Sequence, residues 1–80
     1  MTDQEVLRTF GRILGDLLSS DPVPLTMETR RQDVPGWDSF AYINFIVAVE
    51  QELGVRFGVA EVESFENVGA ILRRARALMP

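Results

Sequence analysis

The segment 39–53 constrains the fold of this chain more than any other, and it reads SFAYINFIVAVEQEL. It is apolar around more than half the circumference of a helix, whereas a helix needs only one apolar stripe to join a small core. Asp38 stands just before it and is a good N-cap, because its carboxylate can accept from unpaired backbone N–H groups in the first turn. We therefore predict a helix over 39–53, with the Ser39 hydroxyl outward at the positive end of the helix dipole.

This predicted helix carries two apolar stripes, one more than a core requires. The better core stripe consists of Ile43, Ile46, Val49 and Leu53, with Phe45 on its flank. The second stripe consists of Phe40, Asn44, Val47 and Gln51, and the acids around it are Asp38, Glu50 and Glu52. We interpret Phe40 and Val47 as exposed anchors of a docking surface with an acidic rim. The alternative is that Phe40 and Val47 belong to the core as well.

A first helix is predicted with Thr2 or Asp3 as its N-cap, and it is expected to stop near Ser19 and Ser20. Its apolar residues recur at spacings of three and four: Val6, Leu7, Phe10, Ile13, Leu14, Leu17 and Leu18. Gly11 and Gly15 each cost about 1 kcal/mol relative to alanine inside a helix. Their presence indicates that a neighbouring segment packs close to this helix.

The connection over residues 20–37 has no helical periodicity, and prolines interrupt it. Loops longer than about 12–15 residues are uncommon in compact domains and are often functional. We expect Leu25, Met27 and Val34 to fix this loop to the core. Trp37 is either a brace against the first helix or part of a partner surface, and the first role is favoured because large aromatic residues are mostly buried.

The rest of the chain predicts two more helices. Gly54 suits the end of the second helix, and Val55 and Phe57 are expected to point inward. A short helix follows over 59–65, and Asn67 is predicted to cap a last helix whose apolar residues are Val68, Ile71, Leu72, Ala75 and Leu78. The prediction is one all-α domain over residues 1–80: a bundle of three main helices and one short helix, with a long loop between helices 1 and 2.

The residue types that the chain lacks limit its chemistry. There is no cysteine and no histidine, so the commonest general base, transition-metal ligands and thiol nucleophile are absent together. We expect no catalytic residues and no metal site. A net charge of −4 disfavours nucleic acid and anionic membranes, and it favours partners with basic surfaces. Without a membrane-length apolar run or the pattern of a signal peptide, the expected location is the cytoplasm.

The run GWDSF at 36–40, followed by AYINFIVAVEQELGVRF, resembles the carrier-serine motif and second helix of acyl carrier proteins. In that family a serine bears a phosphopantetheine arm. The resemblance extends from about Leu25 to the C-terminus and includes the apolar pattern of the helix and its acidic end at Glu50 and Glu52. It implies the same four-helix bundle that the periodicity predicts.

The resemblance implies that Ser39 is the covalent attachment site of phosphopantetheine, and that Asp38 is both the helix cap and part of what the modifying enzyme recognises. A phosphopantetheinyl transferase would install the arm from coenzyme A. The protein would be a carrier and not an enzyme, presenting acyl thioesters to acyl-loading, ketosynthase or acyltransferase-type partners. We expect a monomer whose docking residues are Phe40, Asn44, Val47, Glu50 and Gln51.

Departures from the family pattern bear on the pathway. Phe40 stands where the family usually has leucine, and Ala41, Asn44 and Gln51 stand where fatty-acid carriers often have acids. Trp37 before Asp38, together with the segment EVESFENVGAI at 61–71, resembles freestanding carriers of polyketide or other specialised pathways.

Two alternatives remain, a peptidyl or aminoacyl carrier and a helical interaction module without cofactor. A serine hydrolase is disfavoured because histidine is absent. The sequence shows no evident substrate pocket and does not name the acyl group.

Overall fold

The computed structural model describes residues 1–80 and contains four α-helices and no strand. Helix α1 spans Asp3–Leu17, α2 spans Ser39–Leu53, α3 spans Val59–Ser64 and α4 spans Val68–Leu78. The predicted all-α bundle, with one short helix and a long first loop, is confirmed. The loop also contains one turn of 3₁₀ helix at Arg31–Asp33, which the sequence did not predict. None of the helices combines the length and the hydropathy needed for crossing a bilayer.

Local caps explain where the helices begin and end. At the start of α1, the Thr2 hydroxyl accepts from the Glu5 N–H, and the Glu5 carboxylate accepts from the Thr2 N–H at 2.8 Å. The bond from the Thr2 backbone is the main reason why the pKa of Glu5 lies below its ordinary value. At the start of α4, Asn67 Oδ1 accepts from the Ala70 N–H at 2.8 Å. Helix α2 ends at Gly54, whose φ of +67° lies in the left-handed region that favours glycine.

The core forms where α1, α2 and α4 meet. Phe45 lies at its centre with no exposed surface, and its ring meets the rings of Phe10 and Trp37 edge-on at 5.5 and 5.1 Å between centroids. Val55 and Phe57 are buried, as predicted. Trp37 is only 5% exposed, so its favoured place in the core is confirmed, and the rings that it contacts are those of Tyr42 and Phe45 in α2.

The core stripe predicted for α2 is wrong at Ile43, which is exposed, and Leu53 is only partly buried. Ile43 is 53% exposed, and the buried residues of α2 are Phe45, Ile46 and Val49, while Leu53 is half-buried. Ile43 and Phe45 lie two positions apart, which is about 200° around a helix, so both cannot face one core. In α1, Leu17 was also assigned to the apolar face but is exposed, because it is the last residue of the helix.

The long first loop is held to the bundle by close backbone contacts at helix glycines. The Val23 N–H donates to the Gly11 carbonyl at 3.1 Å, and a Cβ on Gly11 would collide with the Val23 backbone oxygen. A Cβ on Gly15 would likewise lie 2.6 Å from the oxygen of Asp21. The close approach predicted at both glycines is therefore confirmed. Leu25, Met27 and Val34 are half-buried against the core, as expected.

Because of this contact, Gly11→Ala should lower the free energy of unfolding by about 1–3 kcal/mol, the usual cost of overpacking. Alanine is a better helix former than glycine by about 1 kcal/mol, so helix propensity alone predicts that the variant is more stable than the parent. Urea unfolding measures the difference. Gln4→Ala, at an exposed position of the same helix, is the control and should stay within about 0.5 kcal/mol. A Gly11→Ala protein as stable as the parent would show that the loop does not press on α1.

Candidate functional site

Ser39 is the first residue of α2 and is exposed. Its hydroxyl makes no hydrogen bond within the protein, and neither the Ser39 N–H nor the Phe40 N–H has an acceptor. Asp38 Oδ1 accepts from the Ala41 N–H at 2.9 Å, which is the predicted N-cap. The result is a free hydroxyl beside two free backbone donors, at the positive end of a fifteen-residue helix.

Trp37 fixes the turn before Ser39 to the core. The backbone N–H of Trp37 donates to the Val34 carbonyl at 3.2 Å, and the Trp37 indole is buried against Phe45. Gly36 has a φ of +87°, in the region where a side chain would be strained. A buried anchor two residues before Ser39 therefore holds the exposed hydroxyl in a defined direction.

Three apolar residues of α2 form an exposed stripe beginning next to Ser39. Phe40 is 79% exposed, Ile43 53% and Val47 44%, and their spacing of three and four places them on one face. The predicted exposure of Phe40 and Val47 is thus observed, and Ile43 extends the same surface. Of the two polar residues predicted on this face, Gln51 is exposed and Asn44 is half-buried.

The acidic side chains near α2 differ in whether other groups of the protein bind their carboxylates. Glu50 is half-buried, and its carboxylate accepts from the Phe57 N–H at 2.8 Å, so it fixes the segment that follows α2. Glu52 forms an ion pair with Arg12 at 3.1 Å. Glu63 and Glu66 are exposed and form no ion pair. Unpaired negative charge therefore lies on the α3 side of Ser39.

A cavity of about 360 Å³ opens beside Ser39, between α2, α3, the 3₁₀ turn and the start of α4. Its walls include Arg31, Trp37, Ser39, Tyr42, Ile43 and Val62. The sequence did not predict this cavity. The cavity joins residues between 31 and 71, and no local sequence pattern reports contacts over such a separation.

Tyr42 joins the two sides of this cavity. Its hydroxyl donates to the Val62 carbonyl at 2.6 Å and so links α2 to α3, while the Arg31 guanidinium lies over its ring, 5.0 Å from the centroid. Burial raises the pKa of the Tyr42 hydroxyl, and the positive charge of Arg31 opposes that rise. The phenol therefore stays a neutral hydrogen-bond donor at neutral pH.

Helix α3 is held in place by a second set of contacts. Glu61 accepts from the Gly58 N–H at 2.9 Å and pairs with Arg74 of α4. The bond from Gly58 is the largest cause of the lowered pKa of Glu61, and Arg74 adds to it. Helix α3 is thus attached to α4 as well as to α2.

Two known proteins of similar sequence share most of their length with this chain. The acyl carrier protein of Thermosynechococcus vestitus is 31% identical over 72 residues, which cover 90% of this chain and 89% of that protein. The acyl carrier protein of Saccharopolyspora erythraea is 25% identical over 72 residues, covering 90% and 76% respectively. No model of a known protein family matches the chain.

The fold has a close counterpart among solved structures. The solution structure of holo acyl carrier protein from Geobacter metallireducens superposes with a TM-score of 0.80 at 28% identity, over 90% of this chain and 83% of that one. Sequence similarity along nearly the whole chain thus agrees with the helical architecture, and the chain belongs to the acyl carrier protein family.

Proposed function

We propose that this protein carries acyl groups as thioesters on a phosphopantetheine arm attached to Ser39. The observation that supports this most is the exposed Ser39 hydroxyl without a hydrogen-bond partner at the first position of α2. A phosphate attached there would meet the free N–H groups of Ser39 and Phe40, and the helix start favours its negative charge. The arm supplies a thiol, which the chain itself lacks.

The residues around Ser39 have supporting roles in this proposal. Asp38 caps α2 and is part of the surface that a phosphopantetheinyl transferase recognises. Trp37 fixes the turn, so that the transferase meets the hydroxyl in a constant orientation. Catalysis of arm transfer, and of each later acyl transfer, belongs to the partner enzymes.

The pathway we propose is polyketide or other specialised biosynthesis, with acyl-loading, ketosynthase or acyltransferase-type partners. The support is the nearly neutral outer face of α2, where Phe40, Ile43, Val47 and Gln51 are exposed and Glu50 is engaged by Phe57. Partners that dock through a strongly basic patch would find few free acids on this face. A cytoplasmic, monomeric carrier domain over residues 1–80 completes the proposal.

The exposed stripe of Phe40, Ile43 and Val47 is the proposed docking surface, with Asn44, Glu50 and Gln51 beside it. The double variant Phe40→Ala/Val47→Ala should retain its stability within about 0.5 kcal/mol per site, because neither side chain belongs to the buried core. It should lower kcat/KM of arm transfer by roughly 5–30-fold, corresponding to about 1–2 kcal/mol for an apolar hot spot.

Gln4→Ala, at an exposed polar position of α1 outside the proposed docking surface, is the control and should leave kcat/KM almost unchanged. A double variant that is modified as efficiently as the parent would remove the stripe from the docking surface.

The proposed function is tested by intact mass after incubation with coenzyme A and a broad-specificity transferase. One phosphopantetheine should be added per chain. A helical interaction module without cofactor would gain no mass. A peptidyl carrier would gain the same mass but would then accept an aminoacyl group from an adenylating enzyme, whereas we expect acyl loading.

A further inference from the structure

Arg31 is the positively charged residue in the wall of the cavity beside Ser39. Its side chain is exposed and forms no ion pair, although four other arginines of the chain pair with carboxylates. Glu63 and Glu66 line the same cavity, and neither of them pairs with Arg31. The guanidinium of Arg31 is therefore available to an anion that comes from outside the chain.

Tyr42 supports the Arg31 guanidinium in a defined place. The guanidinium carbon lies over the Tyr42 ring, 5.0 Å from its centroid, which is a cation–π contact. The ring cannot easily move away, because its hydroxyl donates to the Val62 carbonyl at 2.6 Å. A guanidinium above an aromatic face still has N–H donors at its edge, and these are the donors that bind oxyanions.

Ser39 lies one helical turn before Tyr42, so the two residues share a face of α2. Residues three apart on a helix have about 5–6 Å between their Cβ atoms. Ser39 and Arg31 both line the same cavity, so the same open space reaches both of them. A phosphate attached to the Ser39 oxygen would enter this space, where the long and exposed side chain of Arg31 can turn toward it.

The charges around the cavity suit a phosphodiester on one side only. Such a group carries one negative charge, and its two unesterified oxygens match the paired N–H donors of a guanidinium. Glu63 and Glu66 repel the same charge from the side of α3. Attraction by Arg31 and repulsion by the two acids therefore both favour a phosphate on the side of the first loop.

We infer that Arg31 binds the phosphate of the arm carried at Ser39 and so sets the direction in which the arm leaves the protein. The inference rests on the proposed function, because the phosphate arrives with the arm. Arg31 is a positioning residue: it holds the attached end of the arm on the side of the first loop, while the thiol end stays free to reach partner enzymes.

The test compares the apo and holo forms of the protein by NMR spectroscopy. The holo form is made with coenzyme A and a broad-specificity transferase, and intact mass verifies loading. We expect the arm to slow hydrogen exchange of the Arg31 Nε–H about two- to five-fold, which corresponds to about 0.4–1 kcal/mol for an exposed ion pair. Arg56 and Arg73, which are also exposed and unpaired, should exchange equally fast in both forms.

A matched pair of variants detects the same contact from the arm. In the holo form of Arg31→Gln, the ³¹P resonance of the arm should differ from that of the parent. Arg73→Gln removes the same charge from an exposed arginine outside the cavity and should keep the parent's ³¹P shift. In the parent, the methylene next to the phosphate should give nuclear Overhauser effects to the Arg31 Cδ protons and none to the Val62 methyl groups.

Four results would overturn the inference: equal Arg31 exchange in the apo and holo forms, a ³¹P shift unchanged by Arg31→Gln, a ³¹P shift changed as much by Arg73→Gln, or an arm whose first methylene contacts Val62 instead of Arg31. If Ser39 accepts no arm at all, the proposed function fails together with the inference. If Ser39 is loaded but Arg31 does not respond, only the inference fails.

Discussion

Phe45→Ala should lower the free energy of unfolding by about 3–5 kcal/mol, as buried phenylalanines do when truncated. Phe45 has no exposed surface and packs edge-on against Phe10 of α1 and Trp37 of the first loop, so its removal leaves a cavity between these rings. A small domain is stable by only about 5–15 kcal/mol, so this change uses a large share of the total. Urea unfolding at a fixed temperature measures the difference from the parent.

The control lies five residues earlier on the same helix. Phe40→Ala removes the same side chain from a position that is 79% exposed, and the free energy of unfolding should change by no more than about 0.5 kcal/mol. Ile46→Ala, at 4% exposure, should behave as core and cost about 2–5 kcal/mol. Equal losses for Phe40→Ala and Phe45→Ala would reject this assignment of the two faces of α2.

The boundaries of the helices could be predicted because their signals are local. Asp38 and Asn67 cap α2 and α4 as predicted, and Gly54 ends α2. The rotation of α2 could be predicted only in part. The apolar residues of α2 cover more than half of the helix circumference, so the periodicity did not show which of them face the core. Ile43 faces solvent and the cavity, whereas Phe45 faces the core. Which of these two residues becomes buried depends on how α1 and α4 pack against α2.

The surroundings of Ser39 depend on contacts that no sequence spacing encodes. The cavity, the Arg31–Tyr42 contact and the bond from Tyr42 to Val62 join segments far apart in the chain. The contact made by Glu50 could not be predicted from the sequence either, although its partner is near in the chain. The charge of Glu50 predicts a docking acid, and its carboxylate also accepts from the N–H of Phe57, seven residues later in a non-helical segment, a contact that no sequence pattern indicated.

Ser39→Ala should abolish attachment of phosphopantetheine while leaving the fold intact. The hydroxyl makes no hydrogen bond within the protein, and its removal should change the free energy of unfolding by no more than about 0.5 kcal/mol. Loss of modification should be complete, because no other hydroxyl offers the same setting. Ser20 and Ser64 already donate to the carbonyls of Asp21 and Glu61, and Ser19 lies just after the C-terminal end of α1, where the helix dipole disfavours phosphate.

The most direct measurement is the intact mass of the parent and of Ser39→Ala after incubation with coenzyme A and a broad-specificity transferase, followed by peptide mapping of the modified chain. The parent should gain one phosphopantetheine on the peptide that contains Ser39, and the variant should gain none while giving the same helical circular dichroism spectrum. A parent that gains no mass, a variant that is still modified, or an arm that maps to Ser19, Ser20 or Ser64 would contradict the account.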